Sequence, residues 1–296
     1  MEDFKKKLIH LHHCRGIGWK SIHKILTLDP ALSGLYDTSF NNWKKLLQIP
    51  DKQVHDFLHD LQTQSIDDFL QQYLLNDIQC ITIYDPIYPA KLRNIYDPPW
   101  VLYIRGDMEL LSAAPILAVV GPRKPSSYGI AITKSILAPL VKKGYVIISG
   151  LASGIDAISH QTALQFSGKT IGVLGGGIFH LYPKENIPLA IEMMKKGTVL
   201  SEYPPFKKPE PWMFPNRNRI ISGMAEGVLI TEAKEKSGSL ITAYCALEQG
   251  REVFAVPGNI TSSLSAGTNK LIQEGAKTVL THVDIEEEFS LAVRGI

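Results

Sequence analysis

Apolar side chains recur at three- to four-residue spacing through most of the first 75 residues, which is the period of amphipathic helices. The most regular stretches are residues 8–14, 19–26 and 54–74. After the first stretch, Gly16 and Gly18 belong to an Arg-Gly-Ile-Gly sequence that is typical of a helix-hairpin-helix turn. The pattern therefore predicts a small all-helical amino-terminal domain over residues 1–75.

A helix-hairpin-helix turn has two alternative roles in this chain. The N–H groups at the start of its second helix can bind a DNA phosphate, or the turn can pack against the rest of the protein. Residues 1–110 contain 12 basic and 14 acidic residues, and a net negative charge disfavours contact with DNA. The charge therefore favours the packing role.

From about residue 115 the pattern changes to short apolar runs that alternate with helical stretches. Such alternation is typical of βαβ units and of a mostly parallel, buried sheet. It predicts an α/β fold with a Rossmann-like, doubly wound sheet over residues 111–296. The predicted strands are residues 116–121, 145–149, 170–174, 198–201, 228–231, 252–256 and 277–280.

Residues 76–110 connect the helical domain to the Rossmann-like domain. They contain two β-rich runs, 80–84 and 101–105, with prolines on either side and between them. We therefore expect three parts along the chain: a helical domain, a connector with short strands, and a Rossmann-like domain.

The composition is that of an ordinary folded protein. Hydrophobic residues make up 45% of the 296 residues and charged residues 20%, and no apolar run approaches the roughly 18 residues that a membrane span needs. The amino-terminal residues lack the apolar segment of a secretory signal. Cys14, Cys80 and Cys245 lie far apart and show no metal-binding spacing. We expect a reduced, cytoplasmic protein without membrane insertion, metal or cofactor.

The basic residues concentrate in the second part of the chain. Residues 111–296 contain 19 basic and 15 acidic residues. Seven of the basic residues, with four acidic ones, fall within residues 184–219. This segment is either a local positive patch that attracts an anion or a solvated helix face.

Ligands of doubly wound sheets bind beyond the carboxyl ends of the strands, so the segments that follow the predicted strands are the candidate sites. Gly121-Pro122-Arg123 follows the first strand and is not a dinucleotide-binding G-x-G-x-x-G loop. Arg123 either binds a phosphate from outside or forms a structural ion pair.

Small residues follow the next two strands. Ser149, Gly150 and Gly154 precede a predicted helix, whose free N–H groups and positive dipole end suit an anion. Gly175 opens a run of three glycines that allows close approach of the backbone. Lys184, a little further on, can pair with a phosphate.

The segment after the fourth strand is rich in hydrogen-bond donors. Phe214 is a possible stacking platform for a base, or it packs in the core. The donors are Asn216, Arg217, Asn218 and Arg219. One of the two arginines can instead pair internally with an acid such as Glu232. The fifth strand is followed by Ser237, Gly238 and Ser239, which form another small-residue helix start.

Several signatures of catalysis are missing from the sequence. It has no Walker A motif, no zinc spacing, no G-x-S-x-G elbow and no paired carboxylates in acid/base positions. We therefore expect a protein that is not an enzyme.

The order of the motifs resembles that of the DNA processing protein A family (DprA, also called Smf). The resemblance spans residues 80–285, and the amino-terminal part resembles the family's small SAM-like or helix-hairpin-helix-like domain. The segments that carry it are residues 119–123, 149–156, 182–184, 214–223, 231–243, 253–259 and 271–276.

The resemblance implies a Rossmann-like core that binds single-stranded DNA rather than a dinucleotide. It implies protection of incoming strands during natural transformation, in competent cells, and loading of the RecA recombinase in DNA recombination. These strands include those covered by single-strand-binding protein. The family's DNA pocket maps onto Gly121, Arg123, Lys184 and Phe214 with the donors that follow. Homodimerisation through the last part of the domain maps onto Asn269, Ile272 and Thr278.

The sequence departs from the family pattern in two places. Some members have a lysine where Pro211 stands here, and Lys207 or Lys208 is the candidate to supply that charge. Many members end in a winged-helix domain, which we expect this chain to lack because Ile296 follows soon after residues 286–288.

Two other functions remain as alternatives. Related Rossmann-like folds are nucleotide-binding or nucleoside monophosphate-hydrolysing enzymes, but this chain lacks their Pro-Gly-Gly-x-Gly-Thr-x-x-Glu loop. Asp156 and Glu232 are the acids to consider for such a reaction. The third function is that of a scaffold whose amino-terminal domain contacts protein partners.

Overall fold

The computed structural model describes residues 2–113 and 115–294. Its first 75 residues form five helices around a core that includes Leu8, Ile22 and Phe57, all nearly inaccessible to solvent. The helices are α1 (Glu2–His13), α2 (Trp19–Leu28), α3 (Phe40–Leu47), α4 (Asp51–Thr63) and α5 (Ile66–Leu75). Helices are thus present where the helical periodicity of the sequence predicts them.

The hairpin turn between α1 and α2 contacts protein on both sides. Arg15 donates side-chain hydrogen bonds of 2.8 and 2.7 Å to the two carboxylate oxygens of the buried Asp60. The Trp19 indole donates to Pro98 O at 2.7 Å and stacks on Trp100 with 5.4 Å between ring centroids. Gly16 has φ +78°, and a Cβ there would collide with Gln53 O. These contacts correspond to the packing role of the turn.

Nine strands form one sheet in the order β1-β2-β6-β5-β4-β3-β7-β8-β9. The strands are β1 (Gln79–Thr82), β2 (Val101–Gly106), β3 (Ile116–Val120), β4 (Val146–Ser149), β5 (Thr170–Val173), β6 (Thr198–Ser201), β7 (Gly227–Ile230), β8 (Glu252–Ala255) and β9 (Lys277–Thr278). Strands β3 to β9 pair in parallel. The mostly parallel, doubly wound α/β fold is therefore confirmed.

The two strands of the connector belong to this sheet. β2 pairs antiparallel with β6, and β1 pairs antiparallel with β2. The side chains of Val101, Leu102, Tyr103 and Ile104 in β2 are fully buried. The connector thus extends the Rossmann-like sheet. The division of the chain into three parts stays a prediction.

Helices cover both faces of the sheet. Leu117 and Val119 of β3 point to a core that includes Leu137 and Ile285, whereas Ala118 points to a core that includes Ile220. The helices after β1 are α6 (Ala90–Arg93), α7 (Ser127–Lys142), α8 (Ile155–Gln165), α9 (Ile187–Lys196), α10 (Met213–Met224), α11 (Gly238–Glu248), α12 (Ala266–Gln273) and α13 (His282–Arg294). In the part of the chain described here, no helix combines the length and apolar character needed to cross a membrane.

The strands of the Rossmann-like domain begin and end within one residue of the predicted positions, with the exception of the end of β9. α10 begins at Met213 and includes Pro215, because a helix tolerates a proline in its first turn. β9 ends at Thr278 rather than at residue 280. Just beyond it, the N–H groups of Leu280 and Thr281 each donate a 2.8 Å hydrogen bond to the Asp284 carboxylate at the start of α13.

Candidate nucleic-acid interface

A cleft opens beyond the carboxyl ends of the central strands. At this place β3 pairs with β4 on one side and with β7 on the other, so the strand order changes direction. The switch of direction at this point is where doubly wound sheets bind ligands. The cleft consists of a cavity of about 790 Å³ and an adjoining one of about 300 Å³. Both cavities are lined by Arg123, Ala152, Tyr182, Phe214 and Arg217.

The Arg123 loop is held against the start of α8 by two glycines. A Cβ on Gly121 would lie 2.5 Å from the Ile155 side chain, and a Cβ on Gly154 would collide with Pro122 O. Arg123 itself is exposed and has no ion-pair partner among residues 2–113 and 115–294. Of its two alternative roles, the geometry favours contact with an external anion.

Arg217 lies under the floor of the cleft with only 6% of its surface exposed. Its guanidinium donates to Val173 O at 2.6 Å and to Gly150 O, and it lies 3.6 Å from the Asp156 carboxylate. Asp156 also accepts hydrogen bonds from the N–H groups of Gly150 and Ala152. Burial raises the pKa of Asp156, while the charge of Arg217 opposes that rise. Arg217 is therefore an internally paired cation.

Arg219 is also buried and lies outside both cavities. It donates to Glu202 at 2.5 Å and to Asp97 at 3.0 Å. The side chain of Asn216 donates to the Tyr203 hydroxyl at 3.0 Å, so it too points away from the cleft. Both side chains occupy the inner side of α10, whereas Asn218 lines the larger cavity.

Glu232 does not pair with either arginine. Its carboxylate accepts hydrogen bonds from the Ser126 N–H at 2.9 Å and from the Ser126 hydroxyl at 2.5 Å. Gly129 leaves room for this carboxylate, because a Cβ there would collide with it. The alternative that one of the two arginines pairs internally applies to both, with Asp156 and Glu202 as the partners. Glu232, the acid suggested for this pairing, instead holds the start of α7.

An aromatic pair forms one side of the cleft. The rings of Phe214 and Tyr182 lie 5.6 Å apart, and 52% of the Tyr182 surface is exposed. A Cβ on Gly175 would lie 2.6 Å from the Phe214 ring. The three glycines thus allow close approach of protein rather than of a ligand: Gly175 meets Phe214, and the next two meet the segment 204–209.

Cations line both ends of the cleft. Lys184 lines the smaller cavity, and Lys124 and Lys234 line the larger one. Within the described ranges these three lysines are exposed and form no ion pair. Pro211 also lines the larger cavity. Of the two candidates for its missing charge, Lys207 pairs with Glu210 at 2.5 Å.

The structure brings ten of the predicted binding residues to the cleft. They are Gly121, Arg123, Gly150, Lys184, Phe214, Arg217, Asn218, Ser237, Gly238 and Ser239. Five others lie behind it: Ser149, Gly154, Gly175, Asn216 and Arg219. Ser149 is fully buried, and its hydroxyl donates to Val119 O at 2.7 Å. Sequence reasoning missed Lys124, Lys234 and the exposure of Tyr182, although Lys124 directly follows Arg123.

The residues of the predicted dimer face lie near the end of the sheet. Asn269 holds the loop at Gly258 by two hydrogen bonds of 3.0 and 3.1 Å. Ile272 packs partly against the sheet core, and Thr278 is exposed on the last strand, β9. Their role in dimerisation stays a prediction. The described residues contain no cluster of histidine, cysteine or acidic side chains that could hold a metal.

Comparison with protein families identifies one whose members cover most of the chain. The family described as DNA recombination-mediator protein A matches residues 79–290. The DNA processing protein DprA of Bacillus subtilis strain 168 is 52% identical over 219 residues, which are 74% of each chain. That of Streptococcus pneumoniae R6 is 47% identical over 208 residues, 70% of this chain and 73% of its own.

Two solved structures agree with the fold over large parts of the chain. The crystal structure of DNA processing protein A from Streptococcus pneumoniae has a TM-score of 0.82 and 37% identity, over 95% of both chains. A structure of DNA processing protein A from Helicobacter pylori, solved to examine its single-stranded DNA binding mode, has a TM-score of 0.65. It is 30% identical and covers 72% of this chain and 97% of its own.

Proposed function

The chain belongs to the DNA recombination-mediator protein A family, and from this we propose that it binds single-stranded DNA in the cleft and mediates its recombination. The observation that carries the proposal is the combination of exposed cations with an aromatic pair, one ring of which is exposed, in one cleft. Arg123 and Lys184 supply the cations, and Phe214 and Tyr182 supply the rings.

The geometry favours a single strand over a duplex. Arg123 and Lys184 hold phosphates by charge-assisted hydrogen bonds, while a base stacks on the ring of Phe214 or Tyr182. Stacking of this kind tolerates any sequence but needs a base that is free of its partner strand. The cleft therefore binds the DNA backbone independently of sequence and requires unpaired bases.

The buried arginines act indirectly in this proposal. Arg217 joins the floor loop at Gly150 to α10, so it positions the helix that carries Phe214. Arg219 and Asn216 anchor the inner side of the same helix through Glu202 and Tyr203. These three are positioning residues, and the phosphate contacts fall to the exposed cations.

The proposal extends to the family's role in natural transformation. The protein protects incoming strands and loads RecA onto them, including strands covered by single-strand-binding protein, in the cytoplasm of a competent cell. It acts as a homodimer through the face around Asn269, Ile272 and Thr278. In the dimer, one DNA strand occupies two clefts, which raises avidity. Membership in the family supports this extension.

The alternative of a hydrolytic enzyme receives less support from the geometry. Asp156 is buried against Arg217, and Glu232 is engaged by Ser126. Neither carboxylate is thus positioned to attack a bound nucleoside monophosphate directly. Incubation with nucleoside monophosphates tests the alternative. Release of free base over many turnovers would show that the protein is an enzyme and would overturn the proposed function.

The decisive experiment is fluorescence-anisotropy binding of a labelled oligothymidylate over a salt series, with unlabelled duplex as competitor. We expect tight, salt-sensitive binding that the duplex displaces poorly. In Arg123→Glu we expect affinity to fall by about tenfold or more, with a flatter salt dependence, because each lost phosphate contact removes about 0.7 from the slope for a single strand.

The matched control is Lys134→Glu, which makes the same charge change at an exposed position of α7 outside the cleft. It should bind within about twofold of the natural chain, since long-range charge effects are screened at moderate salt. Equal losses of DNA affinity in the two variants would show that Arg123 does not contact the DNA. Absence of binding by the natural chain at low salt would overturn the proposed function.

A further inference from the structure

One side of the cleft is bounded by a segment that is neither helix nor strand. Residues 203–212, which we call the wall segment, lie between β6 and α10 and contain four prolines. Pro209 and Pro211 line the larger cavity, and the segment leads directly into the helix that carries Phe214. Because proline has no N–H group, backbone hydrogen bonds alone fix such a segment poorly. Its position therefore depends on what its other side chains pack against.

Phe206 joins the middle of the wall segment to the helical domain. The centroid of its ring lies 6.1 Å from that of Phe69 and 6.3 Å from that of Tyr73, both in α5. A third ring, that of Phe179 in the loop after β5, lies 4.7 Å away. Aromatic rings at such distances attract one another. Tyr73 is buried, and its hydroxyl donates to His13 Nε2 at 2.7 Å. Phe206 therefore packs on a part of the helical domain that is itself fixed.

The backbone on either side of Phe206 connects this aromatic contact to the cleft. The Phe179 N–H donates to Pro205 O at 3.0 Å, and the N–H of Gly177 donates to the carbonyl oxygen of residue 207 at 2.8 Å. A Cβ on Gly176 would lie 2.9 Å from Pro209, which lines the larger cavity. Phe206 itself lines neither cavity. The contacts thus lead from α5 through Phe206 to the prolines beside the cavity.

We propose that Phe206 is a positioning residue for DNA binding, through which the helical domain holds the wall segment in the shape that a bound single strand needs. This inference rests on the proposed function. The helical domain then affects the affinity for DNA without touching it. Without the aromatic contact the wall segment adopts other positions as well, and the apparent affinity falls with the fraction of molecules whose wall segment is in place. The phosphate contacts of the bound state are unchanged.

The test is fluorescence-anisotropy binding of a labelled oligothymidylate to the natural chain and to Phe206→Ala over a salt series. Phe206→Ala should bind about fivefold more weakly, with an unchanged salt slope because no phosphate contact is lost. Phe206→Leu, which keeps an apolar side chain, should recover part of the affinity. Natural affinity in a folded Phe206→Ala protein would overturn the proposal. A flatter salt slope would also overturn it, since it would indicate a lost contact with the DNA backbone.

A second variant removes the contact from the side of the helical domain. Phe69→Ala should lower the affinity to a similar extent, and its combination with Phe206→Ala should bind no more weakly than either single variant, because both remove one interaction. The matched control is Tyr84→Ala, since Tyr84 makes another aromatic contact of the helical domain, with Phe4 at 5.3 Å. It should stay within about twofold of the natural chain, because independent sites do not couple. Additive losses in the double variant, or an equal loss in Tyr84→Ala, would overturn the positioning role.

Trp212 reports on the wall segment directly. It is 55% exposed at the end of the segment, and its indole donates to Glu210 at 2.9 Å. In Phe206→Ala we expect acrylamide to quench the Trp212 fluorescence more strongly than in the natural chain, with Trp212→Phe variants of both chains to subtract the other tryptophans. Unchanged quenching of Trp212 would overturn the positioning role while leaving the proposed function in place. Failure of the natural chain to bind oligothymidylate would overturn both proposals.

Discussion

Arg217 carries a positive charge below the floor of the cleft, where water cannot screen it. Its partners come from two distant segments: Gly150 and Asp156 follow β4, and Val173 ends β5. An ion pair in such a place contributes to stability only while both partners are present, because one charge left alone loses its compensation. The pair therefore makes the floor sensitive to the removal of either residue.

Arg217→Ala is expected to lower the free energy of unfolding by about 3–5 kcal/mol, because the buried Asp156 carboxylate would lose its partner. Urea denaturation followed by circular dichroism measures the change. The double variant Arg217→Ala with Asp156→Asn should recover a large part of this loss. If Arg217→Ala alone were as stable as the natural chain, the ion pair would not support the floor.

At the scale of elements, β2 connects the helical domain to the Rossmann-like sheet. It lies between β1 and β6, and four of its side chains are fully buried. On one face, Val101 and Tyr103 belong to the same core as Leu8 and Phe57 of the helical domain. On the other face, Leu102 and Ile104 belong to the core that includes Ala118 of β3. The strand is therefore part of both cores.

Two truncated chains separate the role of β2 from that of the helical domain. A chain of residues 111–296 loses β1 and β2, so the buried edge of β6 is exposed, and we expect aggregation. A chain of residues 77–296 keeps the whole sheet, and we expect a cooperative thermal transition at reduced Tm. Size-exclusion chromatography and thermal melting provide the measurements, and equal behaviour of the two chains would contradict this role of β2.

At the scale of the whole molecule, histidines occupy sites that disfavour their charged forms. His13 is the last residue of α1, and its Nε2 accepts a 2.7 Å hydrogen bond from the hydroxyl of Tyr73 in α5. Burial lowers its pKa to about 4. His160 of α8 is fully buried and donates from Nδ1 to Thr170 of β5, and burial lowers its pKa to about 3.

These shifts predict a loss of stability in acid. A histidine with an ordinary pKa near 6.5 when unfolded and a lower pKa when folded binds more protons in the unfolded state. The free energy of unfolding should therefore be level above about pH 7 and fall as the pH drops from 6.5 towards 4. Each group contributes at most about 1.4 kcal/mol per pH unit in that window.

Urea denaturation at pH 7 and at pH 5 measures this dependence, and His160→Asn isolates one contribution. The variant should lose less stability than the natural chain between these two pH values. Asp156 and Glu202, whose pKa values burial raises, act in the opposite direction and are present in both chains. A pH dependence identical in the two chains would exclude His160 as a source of acid sensitivity.

Much of the fold followed from short-range patterns in the sequence. The seven predicted strands of the Rossmann-like domain are all present. Six of them are mainly apolar runs of four or five residues that are buried on both faces, whereas β9 has two exposed residues. Arg123, Lys184 and Phe214 were predicted from their places after strand ends, since parallel strands bring these segments to one edge. The helical domain followed from its 3.6-residue period.

The tertiary structure decided which of those polar residues face the cleft. Arg217 and Arg219 lie two residues apart in α10, yet one lies under the cleft and the other is paired with Glu202 and Asp97 behind it. The same structure exposed Tyr182 and brought Lys234 to the cleft from a loop far along the chain. Local patterns determine elements because backbone geometry is local, whereas burial and charge pairing depend on residues that meet only after the chain has folded.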